Sequence, residues 1–174
     1  MLLAAFLVSE PGVRPTLPDQ IDSPSLVIHK AKRELHLLSA GTPLRTYRVA
    51  LGLNPVPPKE RQGDYATPEG TYYICMKNPQ SKFELSLGLS YPGPADADRG
   101  LAAGLITPRQ RDRIVAAWNA KATPPWNTKL GGEIFIHGFG SGADWTWGCV
   151  ALDNSDIQEL YRVVPLGTSV EILP

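Results

Sequence analysis

Leu26-Val27-Ile28-His29, Glu34-Leu35-His36-Leu37-Leu38-Ser39 and Leu44-Arg45-Thr46-Tyr47-Arg48-Val49-Ala50-Leu51 are three runs separated by the polar turn at 30–32 and by Ala40-Gly41-Thr42-Pro43. Apolar and polar residues alternate around the first turn, the period of a strand with one wet face, and breaks this short join antiparallel neighbours. The stretch reads as a three-stranded meander. Residues 70–77 and 83–90 read as two more strands about the turn Asn78-Pro79-Gln80-Ser81, and 168–173 as a closing strand. Seventeen prolines and sixteen glycines are more than a helical bundle accommodates.

Two helices interrupt this pattern. Thr107-Pro108-Arg109-Gln110 is a capping box with proline at the first helical position, and Ile114, Val115 and Trp118 then form one apolar face up to about Lys121. In the second, Asn154 reads as the cap, Ile157, Leu160, Tyr161 and Val164 recur at helical spacing, and Pro165 stops the run. The expected fold class is therefore mainly β with two helices.

A chain of 174 residues, 43% hydrophobic and 20% charged, buries one sizeable core but hardly two, so a single domain is expected over 25–174. Residues 1–24 read as an export-signal remnant or flexible N-terminal linker. Met1 to Val8 is apolar but lacks a basic leader and is too short to span a bilayer, and Pro11, Pro15, Pro18 and Pro24 keep the following stretch extended. Lys plus Arg equals Asp plus Glu at 17 each. No net field recruits nucleic acid or an anionic membrane, and no nucleic-acid partner, no integral membrane segment and a monomer are expected.

The chemistry concentrates in one loop. Residues 133–136 form a short buried run with His137 at its exit, and Cys149 opens a second, 150–152. A free thiol of pKa about 8.5 is only a few per cent thiolate at neutral pH, so a nucleophilic cysteine needs an imidazole or an electropositive pocket beside it. His137 is placed to supply that. Between the two, Gly138, Gly140, Gly142 and Gly148 permit close approach of main-chain N–H groups to a substrate oxygen. Taken singly, a cysteine is most often a small buried hydrophobe and a histidine a hydrogen-bonded structural residue, and it is the joint pattern that points to catalysis. Trp145, Trp147 and Phe139 could wall a peptide or glycan groove or simply pack the loop, and Tyr91 and Tyr65 are weaker candidates. Asp144 could bond within the loop or steer an amine. The proline-rich segment 52–68 reads as a surface loop of the kind that lines sites. Cys75, between Ile74 and Met76, reads as a buried or structural thiol, with a disulfide to Cys149 the oxidised alternative. His29 and His36 lack any accompanying cluster of metal-binding spacing, so no metal site is expected.

The stretch from Ile136-His137-Gly138 to Thr146-Trp147-Gly148-Cys149-Val150-Ala151-Leu152 resembles the signature of the YkuD-type L,D-transpeptidase domain, in which a histidine-glycine precedes a Ser/Thr-His-Gly-Cys element. Thr67-Pro68-Glu69-Gly70 is similar to that family's Thr-Pro-x-Gly turn, Leu89-Ser90-Tyr91-Pro92 looks like a subgroup feature, and the likeness covers roughly residues 24–174. The resemblance implies an L,D-transpeptidase-like β-sandwich or mixed sheet. It further implies thioester acyl transfer on peptidoglycan stem peptides in the periplasm or cell envelope, with no cofactor. Cys149 would be the nucleophile and His137 the base. Gly148, Thr146 and Gly138 would form the oxyanion loop, and Trp147, Trp145, Phe139 and Tyr91 would contact substrate. The sequence departs from the family at Trp147, where most members carry histidine, and at Ala151, where many carry arginine. This version resembles the branch of YafK-like envelope proteins, which leaves open a cysteine amidase or carboxypeptidase. A non-catalytic wall-binding module is the third reading.

Overall fold

The computed structural model describes residues 14–174, so Met1 to Val8 and the start of the expected linker lie outside the described residues. Eight strands and three helices follow in chain order: β1 Pro24–His29, β2 Glu34–Ser39, β3 Thr42–Arg48, β4 Gly70–Asn78, β5 Ser86–Leu89, α1 Pro94–Ala102, α2 Pro108–Asn119, β6 Phe135–His137, β7 Val150–Ala151, α3 Asn154–Val163 and β8 Ser169–Leu173. The strands form one mixed sheet in the order β3-β2-β1-β8-β4-β5-β6-β7. The meander is there as read, with Leu26 against Leu37 and Leu35 against Tyr47. β8 returns from the end of the chain to lie parallel to β1 and antiparallel to β4, which joins the meander to the half of the sheet that carries His137.

Alternation decides what is buried. Leu26, Ile28, Leu35 and Leu37 face inward at 1% exposure or less, and they pack with Ile136, Val150 and the inner face of α3, Ile157, Leu160 and Val163. Residues from the N-terminal stretch join them: Leu17 packs into the same core, while Arg14 and Arg162 pair with Asp156 and Asp19 at 2.8 and 2.6 Å.

Among the described residues three helices stand where two were expected. α2 begins at the Thr107 capping box, whose hydroxyl accepts from Gln110 N–H. The unexpected α1 starts on Gly93 with Pro94 at its first position, and its buried residues are Asp96, Ala97 and Gly100. A buried face of small residues and one carboxylate leaves no apolar stripe in the sequence. α1 and α2 share a satellite core of Ala97, Ile106, Ile114 and Leu130. At the start of α3 Asp153 holds the N-cap position, without a capping bond from its side chain, and Asn154 is the first helical residue. Among the described residues no helix is long and apolar enough to cross a membrane.

Candidate active site

β6 and β7 run parallel with Ile136 beside Val150 and His137 beside Ala151. That register sets Phe135 against Cys149, and Phe135 N–H donates to Cys149 Sγ at 3.4 Å. Because side chains alternate, Ile136 and Val150 enter the core, both at 0% exposure, while Phe135, His137 and Cys149 line one cleft of about 770 Å³. His137 and Cys149 thus share one face of paired strands, offset by two residues.

Both groups rest neutral. Cys149 Sγ lies 3.6 Å from Glu133 O, to which its S–H donates, and no hydrogen bond links it to the imidazole. Burial pushes the thiol up to about 11, against smaller downward pulls from Phe135 N–H and the Lys59 charge. His137, 3% exposed, has its pKa lowered by burial, and the bond to Gly138 O opposes this only in part. Since a carbonyl only accepts, the 2.8 Å contact from Nδ1 to Gly138 O places the ring proton there and leaves the Nε2 lone pair available as a base. The sequence reading had His137 ionising the thiol. In the resting structure the cleft disfavours charge on either partner, because both are desolvated.

The loop from 138 to 149 is tied down residue by residue. Gly138 N–H donates to Phe83 O at 2.9 Å, and a Cβ at Gly138 would lie 2.7 Å from Asn154 Oδ1. Asn154 Oδ1 accepts from Phe139 N–H, and Asp153 accepts from Ser141, so the start of α3 holds the beginning of the loop. Asp144 is wholly engaged: Arg33 Nη2 at 2.7 Å and Leu51 N–H at 2.8 Å donate to it, and although burial alone would raise its carboxyl, these partners hold it below the ordinary value. Thr146 Oγ1 accepts from Gly148 N–H at 3.1 Å and donates to Cys149 O at 2.8 Å. Gly148 has φ +126°, and a Cβ on it would lie 2.7 Å from Ala66 O, so only glycine fits there.

Of the expected oxyanion loop, Gly138 and Gly148 thus spend their N–H groups, and Thr146 its hydroxyl, on bonds within the protein. Among the described residues the N–H of Cys149 itself has no acceptor.

Trp145 lines the cleft and meets the His137 ring edge-on at 5.6 Å, with Phe83 stacked on that ring at 4.6 Å. Phe139 is exposed and meets the cleft through Phe83 at 5.7 Å. Trp147, 77% exposed, stands over Tyr65 on the opposite wall. Tyr91 is not brought to the site: its ring is fully buried and its hydroxyl donates to Leu130 O at 3.1 Å. Phe83, Trp126 and Lys59 line the cleft without having been singled out from the sequence. Proline-rich surroundings made Lys59 look like one more solvated loop charge, whereas it is 3% exposed.

Cys75 and Cys149 are both free, and burial raises the Cys75 thiol. His29 and His36 meet as tilted rings at 5.0 Å on β1 and β2, in the other half of the sheet. Among the described residues no three metal-binding side chains cluster.

The family model of the YkuD L,D-transpeptidase catalytic domain matches residues 23–172. No curated protein matches the chain. Among solved structures it is similar to the helical cell shape determining protein Pgp2 from Campylobacter jejuni, with TM-score 0.58 and 20% identity over 87% of this chain and 48% of that one. An L,D-transpeptidase from Xylanimonas cellulosilytica gives 0.53 and 18% over 92% and 64%. One from Mycobacterium smegmatis gives 0.52 and 12% over 87% and 59%. The chain thus spans roughly half to two thirds of the lengths of these structures, and at such identities the likeness is one of fold.

Proposed function

The chain belongs to the YkuD family of L,D-transpeptidase catalytic domains, and we propose that it performs cysteine-dependent acyl transfer on peptidoglycan stem peptides in the periplasm or cell envelope. The observation that carries this reading is the placement of Cys149 and His137 on one face of paired strands, opening into one cleft.

The Cys149 S–H turns from Glu133 O toward His137 Nε2, which takes the proton as sulfur attacks the amide carbonyl. The S–C bond forms, the carbonyl π pair moves to oxygen, and the unpaired Cys149 N–H faces the developing charge. A well-placed donor of this kind is worth about 3 kcal/mol in the transition state. Collapse breaks the C–N bond, and the imidazolium returns its proton to the leaving amine. A second amine then displaces the thiol to form a crosslink. The resting neutrality of the pair suits this order of events: proton transfer accompanies attack, and no thiolate stands ready for oxidation. Hydrolysis is the second reading, favoured by Trp147 and Ala151 where other members carry histidine and arginine. In it, water takes the place of the second amine.

Incubating the protein with muropeptides and weighing the products tests both. Dimers support transfer, whereas shortened monomers alone assign the hydrolase. Cys149→Ala is expected to lower turnover by at least about a thousandfold with the fold intact, and unchanged turnover would overturn the whole reading. The rate kcat/KM should fall with acid only below the ordinary histidine value of about 6.5, because the base must be unprotonated and burial lowers its pKa. An acid limb above that value would remove His137 from the role of base.

A further inference from the structure

We infer that Lys59 is a specificity-determining residue of this cleft, its ammonium holding a free carboxylate on the acyl portion of the substrate, an inference that rests on the acyl-transfer reading above. Its loop is seated at the opposite end of β6 from His137. Gln62 N–H donates to Lys129 O at 2.9 Å, and Gly131 packs on Gln62, both ahead of Phe135, whereas His137 closes the strand. Cys149, set against Phe135, stands between them. The amine that departs must receive its proton from His137, so it leaves on that side, and the acyl portion lies across sulfur toward Lys59.

A brace for its own loop does not account for this lysine. Asp64 already receives N–H bonds from Glu60, Arg61 and Ala66 at 2.8, 2.9 and 3.2 Å, which close the turn without a side-chain cation. Lys59 Nζ adds bonds to Asp64 Oδ1 at 2.8 Å and Arg61 O at 2.9 Å. An ammonium has three N–H donors, and the third finds no acceptor among the described residues. The buried Tyr91 ring, 5.8 Å from Nζ, backs it. The ammonium is paired with Asp64 at 2.8 Å, and the donor it keeps unspent at the edge of the cleft suits a second carboxylate oxygen, an acceptor whose bond to a cation is stronger than a neutral one. The other charged residues lining the cleft are Lys82 and Glu133, both exposed and therefore screened by water. The Lys59 charge also reaches the reacting sulfur, whose thiolate it favours.

Within a stem peptide, the acyl residue that carries a free carboxylate of its own is a diamino dicarboxylic acid such as meso-diaminopimelate. Two synthetic tetrapeptides differing only in that side-chain carboxylate, free or carboxamide, test the inference by calorimetric titration into the full chain carrying Cys149→Ala. The acid is expected to bind about tenfold to a hundredfold tighter than the amide, the size of a hydrogen bond to a charged group. Adding Lys59→Met should erase that ratio, Lys59→Arg should restore part of it, and Asp64→Asn should preserve it even where both peptides bind more weakly. Equal binding of acid and amide before Lys59 is touched, or a ratio surviving Lys59→Met, overturns the inference. Turnover by the protein with Cys149 in place reports on the acyl-transfer reading separately. Turnover without an acid preference removes Lys59 alone, and an acid preference without turnover removes the transfer chemistry while keeping the carboxylate site.

Discussion

Two of the loops that wall the cleft, 49–69 between β3 and β4 and 138–149 between β6 and β7, are anchored by one hairpin turn. Lys30, at the start of the β1–β2 turn, reaches into the first loop and donates to Pro57 O, Thr67 O and Glu69 at 3.0, 3.1 and 2.7 Å. Arg33, at the end of that turn, grips Asp144 in the second loop. The difference is depth. The carboxylates are alike, Glu69 at 21% and Asp144 at 22% exposed, but the Lys30 side chain is 2% exposed and that of Arg33 31%. The same chemistry is thus unforgiving in one wall and tolerant in the other, because water can replace a lost partner only where it can reach.

The largest effect is expected from Lys30→Met. It leaves the buried Thr67 carbonyl, the Pro57 carbonyl and the 21%-exposed Glu69 carboxylate without their cation, and each buried polar group left unpaired costs about 1–3 kcal/mol. For a chain of this length the thermal midpoint should drop by roughly 10 °C or more. A loss below about 1 kcal/mol in denaturant titration would show that water already enters that wall. Asp144→Asn is the matched change in the other loop. The carboxamide oxygen still accepts from Leu51 N–H, and Arg33 keeps access to solvent, so a cost of about 1–2 kcal/mol is expected. Turnover should fall more than stability, since Trp145 and the His137 ring rest against that loop. Equal losses for the two variants would erase the distinction between the walls.

What the sequence disclosed follows the same division. The meander, the Thr107 cap and the apolar face of α3 were legible because period and capping are local signals. His137 and Cys149 were legible as residue types at strand ends. The two lysines were not, since a cation in a charged hairpin turn, as at Lys30, or beside prolines, as at Lys59, looks solvated whether it folds inward or outward. Nor could the sequence reveal that the Gly148 N–H is spent on the Thr146 hydroxyl, because pairing between a side chain and a nearby amide leaves no period behind. β5 is shorter than the run 83–90 suggested: Glu84 takes φ +72° and Phe83 O bonds to the Gly138 loop instead of a sheet neighbour.

Trp147 carries the smallest expected effect on stability and the sharpest contrast with its own loop. It sits between the anchored residues Thr146 and Gly148 with its side chain turned outward, 77% exposed, and Tyr65 meets it edge-on at 6.1 Å between ring centres as its aromatic neighbour across the cleft. Removing a ring that water already surrounds should change stability by no more than about 0.5 kcal/mol. If the two rings form the mouth of a substrate groove, Trp147→Ala should raise KM by roughly tenfold with kcat little altered, the pattern of binding shared by ground and transition states. A fall in kcat at unchanged KM would instead mean that the tip of the loop helps to align Cys149. That result would extend the rigid part of the second wall from its anchored backbone to the exposed Trp147 side chain, and bring it closer to the first.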